Sequence, residues 1–218
     1  MIVFNEENHT YHNVDTQEYY TPVSSVISKY KEKFIATPQN TYNTQIKLGL
    51  THSQVIEYWK NINEQSIIRG NRIHKEIESY LLTRVSNNVE EVPYEYLNKL
   101  LRKKATMHIE KLVYDHINKI AGTPDIVLEY KHHLVVVDWK TNEKDLHSNY
   151  KNKKLLPPYD YLLDTSYSIY LLQAYYYNRM LEAIYNKSVT KNILVHIWNY
   201  YKQGYKEIDI TNDLNKIK

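Results

Sequence analysis

From Ile120 to Tyr130, and again from Leu134 to Thr141, the chain reads as two extended segments rich in β-branched and apolar residues, separated by the polar pair Lys131-His132. So short a turn makes the segments antiparallel neighbours, and centring it between Lys131 and His132 sets 130 opposite 133 and, further out, Asp125 opposite Asp138. Side chains alternate along a strand, so Asp138 and Lys140 share one face while Val137 and Trp139 take the other. Two carboxylates and an amine are thereby gathered on one side of one hairpin. Directly opposed like charges destabilise a sheet unless something compensates, and a divalent cation held by both acids is the natural compensator. On these residues alone, a solvated acidic pair or a plain ion pair to Lys140 stands beside that reading.

The flanks read as mostly helical. Ile2 to Phe4 and Thr10 to Val14 form an opening hairpin about a polar turn from Asn5 to Asn8, at the edge of the sheet. Thr21-Pro22 has the form of an N-cap and first helical position, predicting a helix to about Ile35, followed by a polar stretch from Thr37 to Thr44. Apolar spacing predicts further helices over about 63–85 and 94–113, the latter through Leu97, Leu100, Leu101, Ile109, Leu112 and Val113. After a long irregular connection, 142–165, with Pro157-Pro158 inside it, come a helix over 166–185, a strand over 192–200, the Gln203-Gly204 turn and a short strand over 207–210. The expected architecture is α/β, a central mixed sheet flanked by helices, in a single domain spanning 1–218.

Composition removes whole classes of chemistry. With no cysteine among 218 residues, disulfides, thiolate zinc sites and cysteine nucleophiles are excluded, so catalysis must rest on oxygen and nitrogen groups. The first residues carry two acids and no signal-like apolar run, and no window is apolar enough to span a membrane, so an intracellular protein is expected. A net charge of +3, from 28 basic and 25 acidic residues, permits a local basic groove without requiring one. The 23 tyrosines against 2 phenylalanines accompany an excess of Lys, Asn and Ile, which fits A/T-rich codons better than selection for base stacking.

On the 63–85 helix, Gly70, His74 and Glu78 share one stripe, with Ile73, Ile77 and Leu81 on the neighbouring, core-facing one. A mid-helix glycine costs about 1 kcal/mol relative to alanine, which points to a close backbone approach at Gly70. Four segments in order, Arg69-Gly70-Asn71-Arg72-Ile73-His74-Lys75-Glu76-Ile77-Glu78, then Ala121-Gly122-Thr123-Pro124-Asp125, then Asp138-Trp139-Lys140-Thr141, then Gln173 with Tyr177, resemble the RecB-like branch of the PD-(D/E)XK nuclease superfamily. The likeness is to the mitochondrial genome-maintenance exonuclease type and its phage and viral relatives, and extends to the Thr21-to-Val26 segment and Trp59. Asn71 departs from the threonine usual at its position.

The resemblance implies a restriction-endonuclease-like core in which His74, Asp125, Asp138 and the Trp139 main-chain carbonyl hold Mg²⁺, with Mn²⁺ as a substitute, while Asp125, Asp138 and Lys140 form the catalytic set. Glu78 and Glu110 are candidate water-mediated ligands or supporting acids, or exposed helix charges. Gln173 and Tyr177, at i and i+4 with Tyr170 on the same stripe, are implied to contact DNA and support the site. In the 142–165 connection, Lys144, Lys151, Lys153 and Lys154 alternate with Tyr150, Tyr159 and Tyr161, either as a DNA-contacting arch or as a solvated loop. The expected function is end-dependent hydrolysis of DNA, preferentially single-stranded, in viral or phage replication or recombination in the host cytoplasm. An endonuclease on the same core and an inert DNA-binding module are the alternatives, and the absence of cysteine excludes the iron–sulfur cluster of CRISPR-adaptation relatives.

Overall fold

The computed structural model describes residues 1–5, 10–198 and 204–217. Strands β1 (Ile2–Asn5) and β2 (Thr10–Asn13) form the opening hairpin, its turn residues 6–8 lying outside the described residues, and β3 (Glu18–Pro22) continues it. The sequence predicts a helix cap at Thr21, but its backbone is taken by the sheet, with Thr21 N–H donating to the Lys119 carbonyl at 2.7 Å. Helix α1 (Val23–Ser28) therefore starts from Pro22 without a side-chain cap, and it stops well before the exposed Phe34 and Ile35.

Cap chemistry decides the next two helices. Thr37 with Asn40, and Thr51 with Gln54, each form a reciprocal capping box, starting α2 (Pro38–Leu48) and α3 (His52–Thr83). The stretch predicted as a polar link is thus mostly helix, and α3 begins at His52 rather than Asn63. Its first half packs on α2 and buries Val55 while Ile56, Ile62, Ile67 and Ile68 stay exposed, so it carries no clean apolar stripe to read. The expected stripe is buried further on, at Ile73, Ile77 and Leu81.

The helix predicted over 94–113 is α4 (Tyr94–Leu101) alone, followed by β4 (Thr106–Ile109) and β5 (Val113–Asp115). Ile109 and Val113 stand at helical spacing but belong to two short strands, a case that periodicity does not separate. The predicted strand 120–130 is likewise two, β6 (Ile120–Gly122) and β7 (Ile126–Glu129), because Pro124 between them has no N–H to give a ladder. Next come β8 (His133–Lys140), α5 (Ser166–Tyr185) with the bounds expected, β9 (Ser188–Ile197), β10 (Tyr205–Asp209) and α6 (Thr211–Leu214). Asn199, Tyr200 and Gln203, expected in the last strand and turn, lie outside the described residues.

Among the described residues the fold is mixed α/β, with two mixed sheets in place of the single one expected, ordered β1-β2-β3-β6-β5 and β10-β9-β8-β7-β4. In the second, β7 and β8 pair antiparallel with Ile126 opposite Val137, the register deduced from the turn, and β8 pairs parallel with β9. That parallel pair requires a crossover, supplied by 142–165 and α5. Val127, Val136 and Leu194 pack toward Leu171, Leu172 and Ala174 of α5. On the other face, Val137, Trp139 and Val195 pack toward Ile73 and Ile77 of α3 and Leu97 of α4. The β8 strand end is therefore enclosed between α3 and α5.

The 142–165 segment lies against the body rather than standing clear of it. Leu146, Leu155 and Tyr159 are core residues, and Leu156 N–H donates to the Tyr30 carbonyl at 2.7 Å. Among the described residues no helix is long and apolar enough to cross a membrane. One glycine sets the spacing between sheet and helix: a Cβ on Gly122 would lie 2.5 Å from Cε1 of Tyr177, within the ring rather than at a flexible tip. Gly122→Ala should destabilise the protein by about 1–3 kcal/mol by forcing Tyr177 out of place; equilibrium urea unfolding that gives wild-type stability would show that the helix yields freely there.

Candidate active site

Asp125 is the first residue beyond the N-terminal end of β7, and its buried carboxylate turns back across the hairpin. Asp125 Oδ2 accepts a hydrogen bond from the Trp139 N–H at 2.7 Å, and its Oδ1 lies 3.4 Å from Nδ1 of His74 on α3. In an extended strand a residue's N–H and C=O point to the same side, so the Trp139 carbonyl faces this edge too. Glu110 reaches the same place from the end of β4. Its N–H donates to the Asp125 carbonyl at 2.9 Å, and its backbone is in the left-handed region at φ 46°, a strained conformation for glutamate.

One donor atom each from His74, Glu110 and Asp125 falls within 4.8 Å of the others, and these come from three different elements. Two hard carboxylate oxygens and one imidazole nitrogen are a donor set that fits Mg²⁺ and accepts Mn²⁺. Asp138 stands beside this set, not in it: its Oδ2 forms an ion pair with Lys140. Glu78 comes close enough to raise the Glu110 carboxyl through its charge, but is likewise outside the convergent set.

Lys140 is held on several sides. Beyond Asp138, its Nζ donates to Oε1 of Gln173 at 2.8 Å and sits 4.2 Å from the centre of the Tyr170 ring. Gln173 in turn donates through Nε2 to the Tyr177 hydroxyl at 3.2 Å, so the buried Tyr177 supports Gln173 from inside the core instead of facing a ligand. Tyr170 is fixed by its hydroxyl donating to Oδ1 of Asn142 at 2.5 Å.

The charges are set by their neighbours. Burial opposes every charged form here, but His74 outweighs it at Asp125 and holds that carboxyl below the ordinary aspartate value. At Asp138, burial and the charge of Asp125 outweigh Lys140 and push the carboxyl up to about 6. Burial and Asp125 likewise raise Glu110 to about 8, although its side chain is open to solvent on one side. Burial disfavours the His74 imidazolium, yet Asp125 wins and lifts it to about 9. At Lys140 burial is outweighed by Asp138, Tyr170 and Asp125, so the ammonium stays charged.

Other expected residues are dispersed. Lys144, Lys151, Lys153 and Lys154 are exposed, with Lys153 paired to Glu32 at 3.0 Å and Lys151 over the Tyr150 ring at 5.1 Å. Tyr159, expected on a stacking surface, is instead buried edge-on against Tyr30, because the connection packs on α1 and α5. Arg69 and Asn142 have no role predicted from the sequence. Arg69 Nη1 donates to the Thr141 carbonyl at 2.6 Å and its Nε to Glu91 at 3.1 Å, tying α3 to the β8 end. The close approach inferred at Gly70 is to this same residue, since a Cβ there would meet Thr141 Oγ1 at 3.0 Å.

No protein-family model matches the chain, and no curated protein matches it.

A cation held by His74, Glu110 and Asp125 would require a neutral imidazole and an ionised Glu110, so the protons held up to about pH 9 and 8 would have to leave. Mn²⁺ affinity should therefore rise with pH from 6 to 9, with protons released on binding. Titration calorimetry in buffers of different ionisation enthalpy checks this, and a dissociation constant flat across that range would contradict the assigned ligands.

Proposed function

We propose that this chain is a divalent-metal-dependent deoxyribonuclease with a restriction-endonuclease-like core, of the RecB-like PD-(D/E)XK kind. On this reading it trims single-stranded DNA from free ends during replication or recombination of a virus or phage inside a host cell. The observation that carries the reading is the meeting of Asp125, Asp138 and Lys140 at adjoining strand ends, with His74 and Glu110 closing on Asp125 and Gln173 on the ammonium. A mixed sheet with helices on both faces supports the same reading.

His74, Glu110 and Asp125 would hold the ion, with Asp138 and the Trp139 carbonyl beside them. When bound, Mg²⁺ or Mn²⁺ supplies an acidified water and screens the phosphodiester charge. Lys140 contributes independently: an ammonium has three N–H donors, two are directed at Asp138 and Gln173, and the third is available to a phosphoryl oxygen or the attacking water. Tyr170 and Gln173 keep that donor in place.

Beside the strand end, an open groove of about 490 Å³ runs along α3, lined by Tyr58, Asn61, Ile62, Gln65, Arg69 and Arg72 among others. Its aromatic ring and amides suit the bases of a single strand, while Arg69 and Arg72 are both paired to Glu91 and Glu143 lines the groove beside them. The exposed Lys144, Lys151 and Lys154, which follow Thr141 in the chain, offer further phosphate contacts.

Incubation of oligonucleotides labelled at either end, single-stranded and duplex, with Mg²⁺, Mn²⁺ or EDTA tests the proposal. Metal-dependent shortening of linear single strands, with closed circles spared, is expected; circles cut as fast as linear strands would make it an endonuclease, and binding without cleavage an inert module. Lys140→Ala should lower kcat at least about 100-fold while leaving single-strand affinity in EDTA near wild type. Equal loss of binding and cleavage would remove the role assigned to the ammonium.

A further inference from the structure

Behind the candidate site is a buried amide that the chemistry above does not use. Asn192 on β9 is 2% exposed, and neither Nδ2 nor Oδ1 of its side chain has a hydrogen-bond partner. Buried polar groups are nearly always satisfied by protein or ordered water. Asp138 Oδ2 lies against Lys140 and has no other hydrogen-bond partner among the described residues, so it can accept one more. Both residues line one cavity of about 10 Å³ between the sheet and α5, whose other polar lining is Tyr170, Gln173 and Tyr177. A cavity of about that volume holds one water, provided polar partners surround it.

The register sets the two groups on one face of the sheet. Val136 is paired with Asn192 and Asp138 with Leu194, so Asn192 and Asp138 are diagonal neighbours on adjacent strands and line the same cavity. No direct hydrogen bond joins them, since both polar atoms of the Asn192 side chain lack a partner, and one molecule in the shared cavity can bridge the two. We propose that this cavity holds an ordered water joining Asn192 to Asp138, and that Asn192 is a positioning residue for the site carboxylate. A carboxylate only accepts, so the water donates to Asp138 Oδ2 and its lone pairs are left for the Asn192 amide N–H. That bond and the Lys140 ion pair together fix the carboxylate's rotation.

The kinetic part of the test rests on the nuclease reading; the structural part does not. A crystal structure of the protein at a resolution that shows waters should contain a full-occupancy peak in this cavity. Asn192→Leu, similar in volume and without polar atoms, should lose the peak and keep or raise Tm. It should also weaken Mn²⁺ binding and lower kcat on a single-stranded oligonucleotide by about tenfold each, with KM little changed. Asn192→Thr, whose hydroxyl can serve the same water, should restore most of both. A dry cavity in the wild type, or Asn192→Leu with wild-type Mn²⁺ affinity, would overturn the proposal, as would a lowered Tm with no rescue by threonine. If the wild type cuts no DNA with any metal, the nuclease reading falls while the density and the Mn²⁺ titration still decide this one.

Discussion

Two carboxylates brought together at the end of one antiparallel ladder are the constraint on which this structure turns. Removing each ion from water costs several kcal/mol, and their mutual repulsion adds to it. The fold compensates with groups from separate elements: Lys140 from the same strand, the Trp139 N–H from the backbone, and His74 from α3. Gly122 stands where the Tyr177 ring of α5 leaves no room for a Cβ, and Gly70 where a Cβ would press on the Thr141 hydroxyl. Arg69 then ties α3 to Thr141, and Gln173 ties α5 to Lys140.

The two acids are not equivalent, although both lie near the same ammonium. Asp125 has His74 and a backbone N–H directed at it and is held ionised; Asp138 is buried beside the charge of Asp125 and holds its proton more firmly. One carboxylate is thus a fixed anion around which ligands assemble, while the other is poised between its own proton and the Lys140 pair. Glu110 joins the first through a left-handed backbone turn, and strain of that kind persists only where the surroundings overdetermine it. The break at Thr123-Pro124 is part of the same arrangement, since Asp125 lies just beyond it, where its carbonyl receives the Glu110 N–H and continues the register of β4 on β7 by one pair.

Several features were legible in the residues, each for a local reason. The Lys131-His132 turn gave the register, strand alternation gave the shared face of Asp138 and Lys140, and helical spacing gave the buried stripe of Ile73, Ile77 and Leu81. Helix α5 was readable to its ends because Thr165 caps a long apolar run. What escaped was decided by non-local pairing: Thr21 has a helix cap's chemistry, yet β6 claims its backbone, and Ile109 and Val113 keep a helical spacing while serving two different sheets. Tyr159 reads as an exposed aromatic among lysines because nothing nearby in the chain announces that Tyr30 will cover it.

The sequence by itself determined which acids and which amine would share a strand face, because the pleat and a two-residue turn leave no freedom in that choice. Only the tertiary structure decided which charges would accompany them. Whether His74 and Glu110 meet Asp125, whether Gln173 reaches Lys140, and whether Asn192 faces Asp138 all depend on how α3, β4, α5 and β9 pack, since long-range contacts follow from burial and chain crossover and not from spacing along the chain.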